Sequence, residues 1–160
     1  MIIYKTHNTS STDLFYKWTR LSGFTQDFEI LEDSHLTIMG HVNLHHRGLV
    51  NGPVGWALRP SLTRAETLAD LGPKPTSAAG KPGTWIKGGK TGSNILSEAQ
   101  HYAEGNFLAY ERLSPGAYRL EIWGCSHSTL APTTDGLIEV LGDGGADDPY
   151  NQLITRIESV

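Results

Sequence analysis

The chain has 160 residues, 38% of them hydrophobic and 19% charged, with 18 glycines, 8 prolines and one cysteine. That is enough for a single domain, residues 1–160, with a real core and no metal or disulfide staple. Its 13 Lys and Arg against 17 Asp and Glu give a net charge of -4 with no basic stripe, which argues against a nucleic-acid partner. MIIYKTHNTS is too briefly apolar for a signal peptide and no stretch reaches the length of a membrane span, so a soluble chain without a membrane partner is expected.

In chain order, MIIYK is a candidate terminal strand inside residues 1–12, which read as an N-terminal arm or a first strand. DLFYKWTRL alternates Leu14, Tyr16 and Trp18 against Phe15, Lys17 and Thr19, and GFTQDFEILED sets Phe24, Phe28 and Ile30 on one side. HLTIMGHVNLHH carries the clearest period of two: Leu36, Ile38, Val42 and Leu44 face one way, and His35, Thr37, Met39, His41, Asn43 and His45 the other. Gly40 interrupts its apolar face, implying a bulge or a large side chain laid across it. GPVGWALRP repeats the alternation with Val54, Trp56 and Leu58.

Residues 60–92 then read as a surface excursion. Thr63 stands three residues before Glu66, followed by Leu68, Leu71 and a Gly72-Pro73 stop, which predicts one short helix. KGGKTGS resembles a phosphate loop, but Gly83 precedes Gly89 by six positions instead of five, and no helix start follows. It reads as a flexible turn, and no cofactor is expected.

SNILSEAQHYA and NFLAYERL are further strands. In LSPGAYRLEIWG, Ser114-Pro115-Gly116 forms a tight turn, and beyond it Tyr118, Leu120 and Ile122 oppose Arg119, Glu121 and Trp123. GLIEVLG and NQLITRIESV close the chain. The fold class is all-β: a two-sheet jelly-roll sandwich of about eight to ten antiparallel strands, with one short helix in the middle insertion.

Chemistry is thinly spread. His41 and His45 share a strand face but lie roughly 13 Å apart, too far to hold one ion within a chain. A ring of imidazoles from several subunits is the only metal arrangement they offer, against a solvent-facing or interface row, and no metal is assigned. Asp143, Asp147 and Asp148 read as an acidic hairpin tip, and Cys125 with His127 as a buried structural cysteine near a histidine. Glu98, Glu104, Glu111 and Glu121 lie on or near strands, but no spacing singles out a catalytic pair. Trp85 and Trp123, on outward faces, suit a subunit interface or stacking on a sugar ring. Asn8-Thr9-Ser10 matches a glycosylation sequon by pattern alone.

The layout from HNTSSTDLFYKWTRLSGF through HLTIMGHVNLHH, VGWALRP and FLAYERLSPGAYRLEIWGCSHS to LITRIES resembles the jelly-roll domains of bacteriophage virion proteins. These include capsid decoration proteins, tail-tip and fibre heads, and their cousins of the tumour-necrosis-factor and complement type. The resemblance covers residues 12–158, rests most on L-S-P-G-x-Y-x-L-x-I-x-G, and transfers no catalytic motif. It implies a non-enzymatic homotrimer decorating the surface of a virion, made in the host bacterial cytoplasm and docked on a major capsid or tail protein. Tyr110, Trp123 and the His41 row would supply the threefold contact, and the first dozen residues or residues 60–92 the docking arm. The alternative is a receptor-binding or carbohydrate-binding head on a host-surface glycan, with Trp85, Tyr102 and Trp123 as stacking residues. A third reading is a β-sandwich glycoside hydrolase.

Overall fold

Along Ser34–His46 the alternation is realised in full: Leu36, Ile38, Val42 and Leu44 are buried while His35 and Met39 are exposed. The computed structural model describes residues 1–7, 10–15, 17–46, 54–64, 69–70, 87–91, 101–127, 138–142 and 151–160. Among these, segments of this kind form eleven strands. They are β1 (Ile2–His7), β2 (Thr12–Leu14), β3 (Thr19–Ile30), β4 (Ser34–His46), β5 (Val54–Arg64), β6 (Ala69–Asp70), β7 (Lys87–Thr91), β8 (His101–Leu113), β9 (Gly116–His127), β10 (Ile138–Val140) and β11 (Gln152–Ser159).

All described pairings are antiparallel and fall into two sheets. In the first, β8 takes one edge of β4 from Ser34 to His46. The other edge of β4 is shared, by β11 from Ser34 to His41 and by β10 from Leu44 to His46. Strand β1 lies outside β11, and β2 outside β10. At the gap between β11 and β10, Asn43 N–H donates to Asn151 Oδ1 at 2.5 Å, the Asn151 amide donates to the Leu141 carbonyl, and Leu141 N–H donates to the Asn43 carbonyl at 3.0 Å. A buried side-chain amide thus substitutes for the missing backbone partner.

The second sheet runs β3, β9, β5, with β7 and β6 sharing the far edge of β5. Between Arg20 and Thr25 the register of β3 against β9 shifts, and both Leu21 and Phe24 enter the core there. Inward residues of the two sheets meet in one apolar cluster, with Leu14, Phe24, Ile38, Leu58, Leu120 and Ile122 almost wholly buried. Leu58 fills the centre, because core-facing glycines leave it room: a Cβ on Gly105 of the facing sheet would stand 2.9 Å from Leu58 Cδ1. The fold is a two-sheet, all-β jelly-roll sandwich.

Several expectations change. Among the described residues no helix is seen where one was expected: Thr63 and Arg64 belong to β5 and pair with Asp70 and Ala69, and residues 65–68 and 71 lie outside the described set. Strand pairing with β9 on the other side of β5 outweighs the local capping signal. Lys87–Thr91, read as a turn, is a strand on β5. Together these shorten the expected excursion of residues 60–92 at both ends. Residues 2–7 are a sheet strand, not an arm. Gly40 sits in unbroken register between Leu153 and Phe107, so it is not a bulge. The Asp143–Asp148 tip and the Asn8-Thr9 part of the sequon lie outside the described residues.

Candidate interaction face

Residues directly opposite in antiparallel strands project to the same side, so the register defines the outer face of the first sheet. One row is Ile3, Arg156, Thr37 and Tyr110; the next is Lys5, Ile154, Met39 and Leu108; the third is His7, Gln152, His41 and Asn106. Met39, Leu108 and Tyr110 are 38%, 51% and 66% exposed, and Ile3 is exposed beside them. Met39, His41, Asn106, Leu108, Gln152 and Ile154 line a shallow depression of about 270 Å³.

His41 is half-buried, its Nδ1 2.6 Å from Asn106 Oδ1. A carbonyl oxygen only accepts, so Nδ1 carries the hydrogen and the neutral ring keeps its lone pair on Nε2. His45, four residues along, is differently engaged: its Nδ1 lies 3.4 Å from Glu139 Oε2, with both side chains largely buried. Among the described residues, no three His, Cys, Asp or Glu side chains stand close enough to share an ion.

The outer face of the second sheet differs in kind. Arg119 donates to both Asp27 oxygens, at 2.7 and 3.1 Å, and Arg20 donates to Glu121 at 3.1 Å. The hydrogen bond from Arg119 holds the Asp27 carboxyl below the usual carboxylate range. These groups border an open hollow of about 860 Å³. Arg59 is buried with its guanidinium 5.0 Å from the Trp18 ring. Trp123 pairs in register with Arg20 and Arg59, and its buried indole N–H finds no hydrogen-bond acceptor among the described residues.

The expected contact set is therefore divided. Tyr110, His41 and His45 lie on the first sheet, while Trp123 lies on the opposite outer face. Tyr102 occupies the position opposite His45, with its side chain outside the described set, and Trp85 lies wholly outside it. Glu111 and Glu121 belong to different sheets, and Glu98 is not described. Cys125 is buried, and burial pushes its thiol up to about 11. Met39 already read as outward; Leu108, Asn106 and Ile154 had no such signal, because what joins them to Met39 and His41 is the pairing of β8 and β11 with β4.

No protein-family model and no curated protein matches the sequence. Among solved structures the chain is similar to Eiger TNF from S. frugiperda, at 10% identity and a TM-score of 0.47, over 99% of this chain and 92% of that one. It is also similar to the infectious bursal disease virus Gx strain structure, at 12% identity and a TM-score of 0.37, over 98% of this chain and 37% of that one. The VP2 subviral particle of infectious bursal disease virus gives 11% identity and a TM-score of 0.31, over 99% and 37%. The chain thus spans little more than a third of those viral chains. The fold assignment rests on none of these likenesses and stands on the strand pairing itself.

Proposed function

We propose that this chain is a non-enzymatic structural subunit of a bacteriophage virion, a homotrimer that decorates a capsid or tail surface. The observation that carries the reading is the gathering of Ile3, Met39, Leu108 and Tyr110 on one outer face, around Ile154. Covering apolar surface yields about 25 cal/mol per Å², and monomers rarely keep contiguous patches of it. The second sheet, tied by Asp27–Arg119 and Arg20–Glu121, offers no comparable gain.

Two features support copies of the chain as the occupant. The centre of the face carries no formal charge at neutral pH, so identical copies meet without like charges facing each other. At its borders Arg156 is paired with Glu158 at 2.5 Å and Glu139 with His45 at 3.4 Å, while Lys5 on β1 and Asp13 on β2 carry opposite signs. Such a polar arrangement favours head-to-tail contacts, which close into rings. The charged face of the second sheet is then left for the capsid or tail protein.

Sedimentation equilibrium tests the reading. The wild-type chain is expected at three times its monomer mass, and Leu108→Glu as a monomer with an unchanged β-sheet circular dichroism spectrum. Wild-type chain should also co-sediment with undecorated capsids or tails. A wild-type monomer that binds neither overturns the proposal.

A further inference from the structure

We propose that His41 makes this self-contact acid-labile, so that the assembly separates into folded single chains as the pH falls. The inference rests on self-association through the first-sheet face and adds its regulation. His41 sits inside the depression at the centre of that face, and it is the only ionisable side chain among the described residues that line it.

Among the described residues its lining holds no carboxylate. On β4 it is flanked by Met39 and Asn43, β8 supplies Asn106 and Leu108, and β11 supplies Gln152 and Ile154. The titratable or charged positions bordering the patch are His7 and Lys5 on β1, beyond β11, and Glu104 on β8, opposite Asn43. Asn106 accepts the Nδ1 hydrogen, leaving Nε2 bare toward the side a second copy would cover. Imidazole is the side chain that changes charge between about pH 5 and 8. A charged ring covered here would have no carboxylate in this lining to pair with, since Asn106 and Gln152 offer only neutral amide oxygens. A closed ring of chains sharpens the effect, since each of its interfaces gains the same new positive charge.

The sign follows from linkage. Covering the ring disfavours its charged form, so the separated chain binds more protons than the assembly, and association weakens as pH drops. Once the free ring is charged, each covered His41 weakens association by about tenfold per pH unit, or about a thousandfold for three copies.

Sedimentation velocity of wild type and His41→Gln from pH 8 to pH 5, with tryptophan fluorescence recorded alongside, tests this. The expected result is wild type assembled at pH 8 and dissociated at pH 5 with native fluorescence, while His41→Gln stays assembled throughout. His7→Gln, bordering the patch, should dissociate like wild type. Wild type still assembled at pH 5, or His41→Gln dissociating with it, overturns the role of His41 and leaves the self-association reading standing. Acid dissociation that coincides with loss of native fluorescence overturns it by assigning the effect to the fold. A wild type that is monomeric at pH 8 removes the self-association reading and this inference together.

Discussion

Gly116 has φ at +155°, and a Cβ placed there would stand 2.9 Å from Arg64 Nε. Arg64 is itself committed: it donates to the Pro115 carbonyl at 2.6 Å and lies over the Tyr118 ring, whose hydroxyl donates to the Ser114 carbonyl. Gly116→Ala should therefore cost about 1–3 kcal/mol, through backbone strain and the displaced guanidinium. Thermal unfolding checks the loss, and an Arg64→Ala background should remove the steric share of it. This glycine was legible in the sequence because Pro-Gly announces its own turn chemistry. Gln26 was not. It occupies a core-facing position in β3 and is buried, donating to Thr6 Oγ1 and the Leu153 carbonyl and accepting from the Thr155 hydroxyl. The alternation of Phe24, Phe28 and Ile30 puts it on the core side, but its partners are far away in sequence and no local pattern names them.

Among the elements, the long strands β4 and β9 were legible because each carries a sustained alternation with one side in the core, broken in β4 only by Gly40. The short ones were not. β6 and β7 exist because β5 offers them an edge, and neither Ala69–Asp70 nor the glycine-rich Lys87–Thr91 has a strand signature of its own. The junction where β11 gives way to β10 is a similar case, since Asn151 is required by what its neighbours lack. Asn151→Ala leaves the Asn43 N–H and the Leu141 carbonyl without that amide, and about 1–3 kcal/mol of stability should be lost. Urea unfolding measures the loss, and hydrogen exchange should show faster opening at Asn43 than along the Leu36–Ile38 stretch of β4.

For the whole molecule, the division into core and surface was readable, but the allotment of surface residues to one sheet or the other was not. Trp123 and Tyr110 both read as outward, and only the pairing of β9 with β3 and of β8 with β4 puts them on opposite faces. The outer side of β9, which Cys125 shares with Trp123, also holds a built-in reporter. Cys125 is buried and its thiol is raised to about 11, so it stays a protonated, shielded group near neutral pH. Native protein should label with a thiol reagent only as fast as the side chains covering that side of β9 move away, and the labelling rate should rise no later than the denaturant range of unfolding. Rapid labelling without denaturant would show that this cover over β9 opens by itself.

The passage from β8 to β9 takes only Ser114 and Pro115, yet it joins a strand of one sheet to a strand of the other. So few residues span at most about 3.3–3.6 Å each, which leaves no slack at that corner. Lengthwise slippage of β8 would therefore haul β9 along with it.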